Sequence, residues 1–344
     1  MKNISKHFNP FGFSLLLLSM FLFAGALPVS ARTHSGGGSS PSSSPSCGKT
    51  VGTCTYTAGR GPNAIAVDSS GNVWVANANS NNVTELNSSG KTVGRYYAVW
   101  GNPEGIAIDS SGNVWVANSY VSDNVTELNS SGKTVGTYAV GGDLTGIAID
   151  SSGNIWVTNS DSVTELNSSG KTVGTYAVGG FPIGIAIDSS GNIWVANAGS
   201  TTVTELNSSG KTVGTYAVGT EPYAIAIDSS GNIWVANFGS ATVTELTSSG
   251  KTVGTYEVGG DPRGIAIDSS GNVWVANEAS NNVTELDSSG KTVGTYAVGG
   301  FPVGIAIDSS GNVWVANSGS RNVTELIKAA KGPQYFPYSG PRWP

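Results

Sequence analysis

Histidine is almost missing from this 344-residue chain: His7 and His34 are the only two. Residues 35–344 therefore hold no imidazole for a general base, a Ser-His-Asp relay or a metal site. Cysteine is as scarce, with Cys47 and Cys54 alone, too few for a thiolate metal centre. Charge is low as well. The 17 basic and 23 acidic residues leave a formal charge of −6, with no basic cluster, which excludes nucleic acid and anionic lipid surfaces as partners. Long apolar runs are absent beyond the first 30 residues, so no second candidate membrane span follows.

The one apolar run, Phe11 to Leu27, follows Lys2 and Lys6 and ends before Val29-Ser30-Ala31. This reads as a secretory signal peptide over residues 1–31, cleaved after Ala31, and no lipobox cysteine follows it. Cleavage removes two lysines and no acid, moving the formal charge from −6 to −8. Residues 32–47, nearly all Ser, Gly and Pro, read as a flexible linker, because such a composition buries too little apolar surface to offset ordering. The expected location is extracellular or periplasmic, without membrane insertion. An oxidising compartment favours a Cys47–Cys54 disulfide. A fully extended spacing would hold the sulfurs apart, so the bridge requires the chain to fold back before Val51; two unpaired thiols are the alternative.

Internal repetition dominates the rest. The string Ile-Ala-(Ile/Val)-Asp-Ser-Ser-Gly-Asn-(Val/Ile)-Trp-Val occurs seven times, with its Asp at 68, 109, 150, 188, 228, 268 and 308. Spacings of 41, 41, 38, 40, 40 and 40 residues fit the period of four-stranded propeller blades. Gly and β-branched residues recur too often for the helical repeats that share this period. One repeat reads as strands A, B, C and D: Gly184 to Asp188, Asn192 to Asn197, Val203 to Leu206 and Lys211 to Tyr216. Late glycines in the A–B and C–D connections suit type I turns closed by a G1 bulge.

The expected fold is an all-β, seven-bladed propeller over residues 48–326, with four antiparallel strands per blade. Its first segment, Gly48 to Thr53, reads as a D strand with no A, B or C before it, and its last, Val323 to Leu326, as a C strand with no D after it. An N-terminal outer strand pairing with the three C-terminal strands would close the ring and remove the open edge. Tyr56 stands two residues beyond Cys54 where other repeats have Tyr, a shift that keeps side-chain faces but calls for a bulge. Residues 327–344 form a Pro-rich tail whose Tyr335, Phe336, Tyr338 and Trp343 suit packing against the last blade or, alternatively, a partner.

Most repeated residues have structural readings. Trp74 and its six equivalents fill the layer between blades. Asp68 and its equivalents cap the A–B turn. Asn77, Asn118, Asn159, Asn197, Asn237, Asn277 and Asn317 end strand B, where Asn satisfies loop backbone. Glu85 and its equivalents in strand C pair at the surface with Lys91 and its equivalents in strand D.

The runs Pro182-Ile-Gly-Ile-Ala-Ile-Asp188, Gly191-Asn-Ile-Trp-Val195, Val203-Thr-Glu-Leu206 and Ser209-Gly-Lys211 resemble NHL-repeat and YVTN-type β-propellers over roughly residues 48–326. Asn77 and its equivalents depart from NHL repeats, which more often carry Asp there. The chain is also similar to the virginiamycin B lyase family, whose resemblance implies a histidine base and a histidine-held metal. No histidine here stands at a matching position, so no catalytic residue carries over. Gluconolactonase-like propellers bind a divalent cation through Asp, Glu and Asn, making Ca²⁺ or Mg²⁺ the alternative to an expectation of no cofactor.

Function should follow the positions that escape the repeat. B–C and D–A loops share one face, and their residues vary where those of the other face do not. The residue before the inner-strand Gly or Ala runs Asn63, Glu104, Thr145, Ile183, Tyr223, Arg263 and Val303. Two positions earlier the series is Gly61, Asn102, Asp143, Phe181, Glu221, Asp261 and Phe301, and Trp100 lies outside the repeat altogether. These residues predict a ligand-binding face on a secreted, non-catalytic binding or scaffold protein, its partner an extracellular ligand, glycan or protein. The alternative is a metal-dependent lyase or lactonase.

Overall fold

The computed structural model describes residues 52–96, 101–120 and 122–327. They form 28 strands in seven four-stranded antiparallel sheets, six of them contiguous in the chain. The seventh blade takes strands A to C from Pro302–Ile307, Val313–Asn317 and Asn322–Leu326, and its outer strand from Thr53–Thr57. The expected signal peptide, linker and Cys47, together with residues 328–344, lie outside the described residues. Among the described residues no helix is long and apolar enough to cross a membrane.

The closing strand differs in detail from expectation. It is Thr53–Thr57 rather than Gly48 to Thr53, and it pairs with Asn322–Leu326 in unbroken register, with Tyr56 opposite Val323 and Cys54 opposite Glu325. Tyr96 and Val83 occupy the same relation in blade one. The register shift falls instead in the other six C–D pairs, between Glu85 and Leu86 in blade one. Tyrosine therefore sets the register, and Cys54 stands where the other blades have glycine. Cys54 is buried and disulfide-bonded.

Each blade is held by the residues that repeat. In the first A–B turn Gly71, at φ 80, donates its N–H to the Asp68 carbonyl at 2.9 Å. The Asp68 carboxylate accepts the N–H groups of Ser70 and Asn72, the Asn72 amide and, at 3.2 Å, the Trp74 indole. One side chain thus caps the turn and orients the core residue of strand B. Trp74 then packs on Ile106, Val114, Val116 and Leu128 of the next blade, and Trp314 closes the circle against Ile65, Val73, Val75 and Leu86.

Tyrosine locks this layer. Tyr96 stacks on Trp74 at 5.5 Å and donates its hydroxyl to Glu85 at 2.6 Å, while its ring covers Gly132 of the neighbouring blade. Gly132 sits at φ 73, and any Cβ there would overlap that ring. The expected surface pairing of Glu85 with Lys91 is thereby corrected: the strand C glutamates are buried, and tyrosine is their partner. A carboxylate removed from water gains more from a directed hydroxyl than from a lysine free to stay hydrated. Burial pushes Tyr96 up to about 12, reinforced by the Glu85 hydrogen bond and charge.

Candidate functional site

Strand A lines the axis, and its opening residues place the varied side chains. Buried Pro62, Pro103, Pro182, Pro222, Pro262 and Pro302 start six of the seven inner strands. The residue after each proline faces the mouth, and the next must be small because neighbouring inner strands nearly touch. A Cβ added to Gly264 would collide with the Val303 carbonyl of the next blade.

All seven residues of the first variable series line one axial cavity of about 220 Å³: Asn63, Glu104, Thr145, Ile183, Tyr223, Arg263 and Val303. This is smaller than the roughly 300–1,000 Å³ of sites for drug-sized ligands, so it suits a small molecule or the end of a larger one. The second series takes another place. Asn102, Phe181, Glu221, Asp261 and Phe301 hold positive φ in the turn before strand A, with Phe181 and Phe301 exposed on the rim. Asp143 is exposed without lining the cavity. Trp100 lies outside the described residues.

Two polar clusters face each other across the axis. Glu104 accepts the Asn63 amide at 2.6 Å and the Asn102 amide, and Asn63 also donates to the Glu104 carbonyl. Burial pushes the Glu104 carboxyl up to about 7, against the Asn102 hydrogen bond, the Arg263 charge and the Asn63 hydrogen bond, which pull it down. Opposite, Arg263 pairs through Nε with Glu278, donates to the Tyr223 hydroxyl at 3.0 Å, and lies over the rings of Tyr223 and Phe238 at 4.9 and 5.2 Å. Those rings are 5.8 Å apart. Burial works against the guanidinium charge, but Tyr223 and Glu278 raise it further, so Arg263 stays cationic. Thr145 is spent on structure, its hydroxyl bound to Thr158 and to the Pro182 carbonyl.

Phe238, Glu278 and Tyr120 belong to this neighbourhood although neither variable series contains them. They begin or nearly begin B–C loops directly after the repeated Asn of strand B. Their departure from the repeat is a legible signal of the same kind as Tyr223 and Arg263.

The sequence model of the virginiamycin B lyase family matches residues 55–286, about two thirds of the chain. The chain belongs to the virginiamycin B lyase family. Among solved structures, the virginiamycin B lyase of Staphylococcus aureus is similar at TM-score 0.74 and 18% identity, over 81% of this chain and 100% of that one. A catalytically inactive histidine-to-alanine variant of that lyase with quinupristin gives the same values. Kuenenia stuttgartiensis hydrazine synthase is similar at 0.72 and 19%, over 80% of this chain and 97% of that one. Such identities establish the fold and leave activity open. Comparison with curated proteins returned no match.

Within the family match there is no histidine. Among the described residues no three His, Cys, Asp or Glu side chains gather as a metal site requires. Each strand B asparagine donates its amide to a strand C threonine of its own blade, as Asn77 does to Thr84. Asn77 also accepts the Gly59 N–H, pinning the D–A loop to the B–C loop, while the Oδ1 atoms of Asn118, Asn277 and Asn317 are buried without a hydrogen-bond partner among the described residues. Asn77 and its equivalents are buried, so they present no ligand oxygens to the axis. The residues present do not fit the histidine-supported metal that the family resemblance implies.

Proposed function

We propose that this family member is a secreted propeller that binds an extracellular ligand at its axial cavity without cleaving it. The observation carrying this reading is convergence: seven side chains that differ in every blade meet in one cavity, while the turns on the opposite face hardly vary. Drift would alter exposed loops without regard to the axis. The inactive variant of the Staphylococcus aureus lyase with quinupristin shows that a propeller of this family holds a ligand after losing a histidine, which supports separating binding from chemistry here. Export rests on the N-terminal sequence.

The test is a binding screen of the chain from Arg32 onward against small glycans and peptides, read as a rise in melting temperature. For any hit, Tyr223→Ala with Arg263→Ala should abolish binding, and Ser189→Ala with Ser190→Ala on the other face should not. Equal loss from both pairs would place the site elsewhere.

Family membership favours one rival, a metal-dependent lyase or lactonase using carboxylates and amides. Ring-opening of a streptogramin B antibiotic by the purified chain, abolished by a chelator, would establish it. No turnover is expected.

A further inference from the structure

Charge in the axial cavity is unevenly satisfied. Arg263 has Glu278 as its counter-ion and two aromatic rings beneath it. Glu104, across the axis, has no ion-pair partner among the described residues and is held only by the neutral amides of Asn63 and Asn102. Asn63 directs its Nδ2 to Glu104, so its Oδ1 is left as a second acceptor with no described partner. The cavity therefore offers acceptors on one side, and the aliphatic Ile183 and Val303 elsewhere on its wall. The face around it carries seven carboxylates, Glu221 and Asp261 at the rim among them, against three arginines, Arg60, Arg263 and Arg321. Such a field draws cations to the mouth.

Resting on the binding reading above, we propose that the axial cavity takes the ammonium head of a small organic amine between Glu104 and Asn63 Oδ1. The ligand's apolar remainder packs against Ile183 and Val303. An anion gains less here, because Arg263 is already neutralised and the mouth repels it. A neutral ligand leaves the Glu104 charge uncompensated.

Protonation sharpens the distinction. The groups facing Glu104 are Arg263, Tyr120 and Tyr223; both tyrosines are raised by burial, and so neither titrates near neutrality. Glu104 itself ionises at about 7. An alkylammonium stays charged through this range, so its binding should strengthen as pH rises through neutrality and then level off.

The experiment is calorimetric titration of the full chain with n-hexylamine, n-hexanol and hexanoate at about pH 8 and pH 5.5. Hexylamine should bind roughly tenfold or more tightly than the other two at the higher pH, the scale of a charge-assisted contact. It should lose about that factor at the lower pH and in Glu104→Gln, whose melting alongside the parent near pH 4.5 reports an intact fold. Equal binding of amine and alcohol, or tighter binding of hexanoate, overturns the amine assignment; if Tyr223→Ala then abolishes that binding, the axial binding reading stands without it. Binding of none of the three also overturns the assignment, while the glycan and peptide screen still decides the broader reading.

Discussion

The Tyr56 hydroxyl donates to the Glu325 carboxylate at 2.7 Å across 269 positions of sequence, whereas the equivalent bond from Tyr96 to Glu85 spans 11. Six times the bond is local, and once it ties the first described strand to the last. The same chemistry thus has a different topological consequence in the seventh blade, where it secures the ring.

Removing residues up to Ala58 should lower the melting temperature of the whole ring by many degrees, because strand C of the seventh blade becomes an open edge and Trp314 loses the Tyr56 ring stacked on it at 5.5 Å. Tyr56→Phe should cost about 1–3 kcal/mol by leaving Glu325 buried without its donor. Thermal melts of both variants check this. A truncated chain melting within a degree or two of the intact one would refute closure by this strand.

Asp228 should be as important as any core residue. Its carboxylate takes the N–H groups of Ser230 and Asn232, the Asn232 amide and the Trp234 indole. Asp228→Ala should cost about 2–4 kcal/mol by chemical denaturation, since it leaves an indole N–H and a turn unsatisfied. Asp188→Ala should match it within about 0.5 kcal/mol, the bonds being the same.

At the axis, Gly264→Ala should destabilise by about 1–3 kcal/mol, because its Cβ meets a backbone carbonyl that cannot move aside. Ala224→Gly, at the same position of the previous blade, should cost no more than about 1 kcal/mol through chain entropy. Equal effects would mean that the inner strands yield.

Stability should fall as pH rises from about 4.5 to about 7. The Glu104 carboxyl ionises at about 7 in the folded protein against its ordinary 4.5, so the folded chain holds a proton over that window which the unfolded chain releases. The contribution is complete below 4.5 and lost above about 7. Glu104→Gln should therefore melt higher than the parent at pH 8 and alongside it near pH 4.5. Parallel melting curves across the range would show Glu104 to be hydrated.

Much of the fold is legible in the residues themselves. The seven Asp-Ser-Ser-Gly-Asn turns state strand length, turn type and blade number, because these follow from φ preferences and alternation within a few residues. The varied series beside Pro62 and its equivalents points to the axis for the same reason, since register fixes which face a side chain takes. The strand C glutamates mislead because an acid on an alternating strand looks solvent-facing. Its burial depends on a tyrosine from strand D and on the next blade closing over both.

By itself, then, the sequence determined the local elements, their repetition, the need for closure, and which positions vary. Only the tertiary structure decided that Tyr56 takes the repeat's tyrosine place in the closing pair without a bulge. Only it brought Glu104 opposite Arg263 and gave Arg263 a counter-ion in Glu278. These are relations between blades, set by the ring's curvature and by backbone contacts such as Gly264 with Val303. Periodicity along one chain carries no information about which side chains meet across an axis.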